Sequence, residues 1–247
     1  MVRGIAAGAP MTAAAGKYLI VNGDDFGASR GINRGILEAH RHGILTSASV
    51  LVDLPTSAEA ASLSRAAPEL SVGLHVDLDR FARTQGTHEL DHQACRAELQ
   101  RQLDLFRALM GCYPTHLDSH HNVHRDVRLV GHFLALAHRY GLPLREHSAV
   151  RYVSSFYGRW AGETHLEQIS VQGLAQILEA ELSVGVTELG CHPGYVDAGC
   201  ASSYAAEREA ELRTLCDPQV PTVLSELEVQ LVSFRDLGAL SVGLATF

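Results

Sequence analysis

No apolar run in the 247-residue chain approaches the roughly 18–20 residues that cross a bilayer, so no segment reads as a membrane span. No run of Lys or Arg appears either, and 28 acidic residues against 20 basic ones leave a formal charge of −8. A chain of that sign is a poor partner for nucleic acid or an anionic lipid surface. None of the five cysteines (Cys95, Cys112, Cys191, Cys200 and Cys216) forms a Cys-x-x-Cys pair. Their odd number argues against a complete disulfide framework, and the missing Cys pair excludes a zinc finger. Reduced thiols in a cytoplasmic protein are the expectation. The first 16 residues are rich in Ala and Gly, with one Arg and no sustained apolar stretch. They make a poor signal peptide and read as a disordered leader ahead of a single domain over 17–247.

Apolar residues make up 46% of the chain, enough to bury one sizeable core. After residue 17 strands alternate with helices. Strands are expected at Tyr18 to Asn22, Ser47 to Val52, Leu70 to Val76, Thr115 to Asp118, Leu142 to Arg145, Val186 to Cys191 and Val229 to Phe234. Helices fall between them. One carries Ile32 and Ile36 and stops at Gly43. One begins at Thr56, with Glu59 at capping-box spacing. A long one repeats Leu99, Leu103, Phe106 and Met110 before Gly111. Val127, Val130, Leu134 and Ala137 mark another, closed by Gly141. Ser170 to Leu182 and Tyr204 to Leu215 complete the set, and 147–168 reads as an irregular excursion. Roughly seven strand–helix units predict a parallel (β/α) barrel of the TIM type, closed or nearly so. A doubly wound open sheet is the second architecture.

The chemistry lies in where polar residues fall. Asp24 and Asp25 follow the first strand, His75 and Asp77 end the third, and Asp118, His120 and His121 follow the fourth. Arg145 ends the fifth, and His192 follows the sixth. Parallel barrels build active sites from the C-terminal strand ends, so these groups share one rim. Adjacent carboxylates repel, and a cation beside Asp24 and Asp25 removes that cost, although an Asp pair also suits a turn and a helix cap. The strongest local signal is Thr115-His116-Leu117-Asp118-Ser119-His120-His121-Asn122-Val123-His124. Four of the chain's 14 histidines and one Asp sit there. On a strand, His116, Asp118 and His120 would share a face, and one Asp with two His is a common divalent-metal set. In His192-Pro193-Gly194 a rigid turn would hold an imidazole over the rim, with Glu188 in the same strand placed to orient it.

Five segments, in order, carry a family resemblance: Val21-Asn22-Gly23-Asp24-Asp25-Phe26-Gly27, Gly73-Leu74-His75, the His-rich segment from Thr115 to His124, Ser155-Phe156-Tyr157-Gly158, and Cys191-His192-Pro193-Gly194-Tyr195. Together they resemble the YdjC-like carbohydrate deacetylases, from about Lys17 to the C-terminus. Gly23 stands where the family usually has Ala, Asn122 replaces a frequent His, and the stretch between His75 and the long helix is short. The resemblance implies a barrel like that of polysaccharide deacetylases and one divalent ion, Mg or Zn, held by Asp25, His75 and His120. It also implies Asp24 as base and His192 as acid in removing acetyl from an N-acetylated sugar. Arg145, Tyr157 and His124 are the expected substrate contacts, and Asp118 is placed to orient a ligand His. A different metal-dependent hydrolase on the same rim (a phosphoesterase or amidase) and a non-catalytic sugar-binding protein are the alternatives. A homodimer is the base-rate expectation for assembly.

Overall fold

The computed structural model describes residues 16–84, 86, 91–197 and 203–240. The predicted leader therefore lies outside the described residues except for Gly16. Strand β1 (Lys17–Phe26) runs up the centre of the sheet. It is followed by α1 (Arg30–His42), β2 (Ser47–Val50), α2 (Ser57–Arg65), β3 (Ser71–Val76), α3 (Leu78–Thr84), α4 (His92–Met110) and β4 (Leu117–Ser119). A 3-10 turn over His120–Arg125 leads to α5 (Val130–Tyr140), β5 (Arg151–Val153) and the two-stranded hairpin of β6 (Arg159–Trp160) and β7 (Glu163–Thr164). The chain closes with α6 (Val171–Glu181), β8 (Gly185–Cys191), α7 (Ala205–Leu215), α8 (Val220–Glu226), β9 (Val229–Leu231) and a second 3-10 turn over Phe234–Gly238.

Seven strands form one parallel sheet in the order β4-β3-β2-β1-β8-β5, with β9 added beside the start of β1. Among the described residues the path does not close. The sheet is an open, curved half-barrel, which corrects the full barrel expected from the strand count. The predicted strand at Leu142 to Arg145 shrinks to a single bridge, Leu117 to Leu144. The slit between it and β5 is spanned by side chains, with the Arg145 guanidinium 4.5 Å from the centroid of Tyr152.

Strand alternation divides the two faces. Leu19 and Val21 of β1 join Val50, Leu74, Leu117 and Leu189 in the large core beneath the helices. Tyr18 and Ile20 point the other way and pack with Val150, Val186 and Phe234 into a smaller plug at the N-terminal end of the lumen. Above that plug the lumen turns polar: Asn22, Ser49, His116, Asp118, Arg145 and Glu188 are all buried. Buried polar groups are ordinarily hydrogen-bonded, and here Asn22 bonds Ser49 and Asp118, Arg145 bonds Glu188, and His116 bonds the Thr115 hydroxyl.

Local signals explain the helix limits. The Ser29, Asp91 and Ser170 side chains accept from backbone N–H groups in the first turns of α1, α4 and α6. Gly111 and Gly141 end α4 and α5 in the left-handed conformation that a Cβ disfavours. The capping box predicted at Thr56 does not form. The Thr56 hydroxyl donates to the Gly27 carbonyl, and Glu59 accepts from Asn33. Of the residues expected to mark α5, Val130, Leu134 and Ala137 lie in it and Val127 does not. Val127 precedes the helix and is 88% exposed, Leu134 is 38% exposed, and Phe133, Leu136 and Ala137 are the buried set.

Candidate metal centre and active site

Successive strand residues normally face opposite ways, so Asp24 and Asp25 should not share a site. The register between β1 and β2 shifts between Gly23 and Phe26, and Asp25 takes a positive φ of 69°. Asp tolerates that left-handed conformation better than most side chains, and the irregularity turns both carboxylates onto one rim. His75 on β3 lies in register with Asp118 on β4, which puts the two side by side. His120 is the first residue of the 3-10 turn after β4 rather than part of the strand.

These elements bring Asp25, His75 and His120 together, their candidate ligand atoms all within 4.8 Å of one another. The Asp25 Oδ1 atom lies 3.1 Å from His120 Nδ1 and 3.4 Å from His75 Nε2. Neither approach has hydrogen-bond geometry, and Oδ1 is buried without a donor. His75 Nδ1 donates to Asp118 Oδ1 at 2.8 Å, which leaves Nε2 facing Asp25. Burial pulls the His75 pKa down, but Asp118, then Asp25 and Asp24, outweigh it and hold it well above the usual histidine value. Burial pushes Asp25 up, and Arg208, His120 and His75 more than offset this. An orphaned carboxylate oxygen faced by two imidazole nitrogens is a donor set that fits a divalent cation.

Asp24 is held differently. Arg145 grips both its oxygens at 2.8 Å, and Asn22 donates to Oδ1 at 2.9 Å. Burial raises its pKa, and the Arg145 charge brings it below the ordinary carboxylate value. His192 Nε2 stands 3.9 Å from Asp24 Oδ2. Burial lowers the His192 pKa to about 4, against the opposing pull of Asp24 and Asp25, so the imidazole is neutral at pH 7.

A cleft of about 690 Å³ opens over this cluster, lined by Asp24, Asp25, His75, His120, His192 and Tyr157 among others. Of the three expected substrate contacts, Tyr157 alone reaches it. Arg145 is 3% exposed and enclosed by Asp24, Asp118 at 2.8 Å and Glu188 at 2.6 Å. It is an internal counter-ion, which corrects its expected substrate role. His124 is also removed from the cleft. It is fully buried, between the Ser119 hydroxyl at 2.6 Å and Glu146 at 3.2 Å. His116 lies one layer deeper, stacked on Phe234. His121 pairs with Asp79 at 2.7 Å, and Asp77 accepts from the Arg80 backbone at the start of α3. Glu188 pairs with Arg145 rather than His192, so it does not orient that imidazole.

Helix α7 and its N-cap Tyr204 hold the backbone of His192, a contribution with little signal in the sequence. Tyr204, Arg208 and Glu211 recur at helical spacing on one face. Glu211 accepts from the His192 backbone N–H and from the Tyr204 hydroxyl. Arg208 donates to Asp25 Oδ2 and to the His192 carbonyl. The only sequence signal was this spacing, in a stripe that ordinarily marks a solvated face.

Fold and rim together define an open parallel α/β half-barrel with a candidate metal centre at its C-terminal edge. The family described as YdjC-like protein matches residues 18–226. The chain belongs to that family. It is 33% identical to a carbohydrate deacetylase of Geobacillus stearothermophilus, over 89% of this chain and 98% of that one. It is 34% identical to a chitooligosaccharide deacetylase of Serratia marcescens, over 90% and 99%. Among solved structures, an Enterococcus faecalis V583 protein proposed to cleave cellobiose phosphate superposes with a TM-score of 0.75 at 28% identity, over 90% and 99%. A family 4 carbohydrate esterase from Streptomyces lividans, in complex with acetate, shares the fold with a TM-score of 0.57 at 16% identity, over 90% and 96%. No helix among the described residues is long and apolar enough to cross a membrane.

Proposed function

We propose that the protein is a metal-dependent deacetylase that hydrolyses the acetamide of an N-acetylated sugar to acetate and an amino sugar. The observation that carries this reading is the buried, donorless Asp25 Oδ1 facing His75 and His120, beside a second carboxylate and a cleft-lining imidazole. The deacetylase names of the relatives support the substrate class. Asp25, His75 and His120 would hold one divalent ion, Mg or Zn, which when bound supplies Lewis acidity toward water and the acetyl carbonyl. Asp118 fixes the His75 tautomer through its 2.8 Å hydrogen bond, the usual duty of a carboxylate behind a ligand histidine.

Asp24 is the general base. Arg145 keeps it ionised and fixed, and it takes the proton as water attacks the carbonyl carbon. His192, neutral at rest, receives a proton from the Asp24 side and delivers it to the departing nitrogen, which leaves as an amine. The carbon–nitrogen bond breaks and acetate forms.

The test is acetate release from a panel of N-acetylated sugars with added Zn or Mg and a chelator control. Asp24→Asn is expected to lower turnover by about 10²- to 10⁴-fold, the usual worth of a general base, with metal content unchanged. Release that survives the chelator, or an undiminished Asp24→Asn enzyme, would sink the reading.

A further inference from the structure

Strand β5 was not foreseen, and it delivers a side chain with no assigned duty. Tyr152 is in register with Glu188 of β8, so its side chain enters the lumen. Its ring lies against Arg145, and its hydroxyl comes over Gly190. A Cβ at position 190 would stand 2.7 Å from the Tyr152 hydroxyl oxygen and 3.0 Å from the nearest ring carbon. Gly190 has no positive φ to require glycine, and it sits inside a strand, where glycine weakens the ladder. Room for the phenol is what the missing side chain supplies. Tyr152 and Gly190 both line the cleft that holds Asp24 and His192.

Tyr152 is half-buried, and its phenol, which has no hydrogen-bond partner among the described residues, is open to the cleft that Tyr152 lines. Burial pushes its pKa up, and Asp24, Glu188 and Asp118 add to this against the pull of Arg145. The group is therefore a fixed neutral donor.

We propose that Tyr152 contacts the substrate, its phenol donating a hydrogen bond to the acetyl oxygen where charge develops, and that residue 190 is glycine to admit it. The proposal rests on the deacetylase reading. The position favours the acetyl group over distal sugar hydroxyls, because Tyr152 lines the cleft beside the Arg145 that grips the proposed base.

Three variants test it: Tyr152→Phe, Gly190→Ala and the double variant, each checked for an unchanged thermal unfolding midpoint. Loss of one donor to a developing oxyanion is expected to lower kcat about 10²-fold with little change in KM. Gly190→Ala should do the same by displacing the phenol, and the double variant should be no slower than Tyr152→Phe. A second readout needs no turnover. Calorimetric affinity for acetate, whose oxygens accept the same bond, should fall about tenfold in each variant, as expected for a hydrogen bond to a charged group. Wild-type kcat in Tyr152→Phe, or losses that multiply in the double variant, would overturn the proposal. If the wild-type protein releases no acetate from any sugar, the deacetylase reading fails. The acetate affinities then decide this one, and equal affinity in all variants overturns it.

Discussion

At the scale of single residues the candidate centre works by matching buried charges with buried partners. Glu211 is the exception: it has the Tyr204 hydroxyl at 2.6 Å, the His192 backbone N–H and the Arg208 charge as partners, and these do not offset its burial. Burial pushes its pKa from 4.5 up to about 8, and those hydrogen bonds offset only part of the rise. Between these two values the folded protein binds more protons at this site than the unfolded chain. The stability Glu211 contributes is therefore present at low pH and lost as pH rises through about 8. His75, also raised, acts in the same direction, and His116, lowered to about 4 by burial, acts in the opposite direction below its ordinary value of 6.5. The comparison with Glu211→Gln isolates the one group. The wild-type unfolding midpoint should fall relative to the variant's as pH is raised from 5 to 8.5, and parallel curves would show that Glu211 does not titrate in that window. Sequence made Asp24, Asp25, His75, His120 and His192 legible because each stands at the end of an apolar strand, where a polar residue is conspicuous. Arg145 was equally conspicuous, but its role was not. Nothing in the order of residues shows that Asp24, Asp118 and Glu188 converge on its guanidinium.

At the scale of elements, α1 and the loop after β8 meet backbone to backbone. A Cβ at Gly35 would lie 2.5 Å from the Gly194 Cα, and one at Gly31 would lie 2.2 Å from the Tyr195 carbonyl oxygen. That loop carries His192, so the two helix glycines set its height over the rim. Gly35→Ala gains about 1 kcal/mol in helix propensity but overpacks a rigid contact, at a cost of about 1–3 kcal/mol. The net expectation is lower stability and lower turnover. Gly131→Ala in α5, where a Cβ meets nothing within 4 Å, should instead raise stability by about 0.5–1 kcal/mol at unchanged turnover. Denaturant unfolding and acetate release on the pair check both signs, and a stabilised, fully active Gly35→Ala would refute the packing account. Long periodic elements were the legible ones: α4 ends at Gly111 as expected, and β1 contains the predicted strand. Strand β5 was not legible, because three residues of which one is exposed carry no period. The helix α5 and its Gly141 stop were legible as well, but not its start, because Val127 lies in the turn before it.

At the scale of the molecule, the half-barrel concentrates Asp24, Asp25, Asp118 and Glu188 in one buried region against Arg145 and Arg208. Removing carboxylates from water costs several kcal/mol each unless cations compensate, and the two guanidiniums leave Asp25 Oδ1 without a donor. A cation bound to the folded state and not to the unfolded chain therefore stabilises the whole domain, by about 2.7 kcal/mol at a hundredfold excess over Kd. For a domain of this length that corresponds to a rise of about 5–10 °C in Tm. Zn or Mg added to chelator-stripped protein should produce that rise, and His120→Ala, which removes one proposed ligand while leaving the Arg145 network intact, should abolish it. His132→Ala, a change in a histidine paired with His92 and away from the centre, should keep it. A Tm indifferent to every divalent ion, or an equal rise in His120→Ala, would mean that Asp25, His75 and His120 hold no metal, and the electrostatic argument for the centre would fall with them.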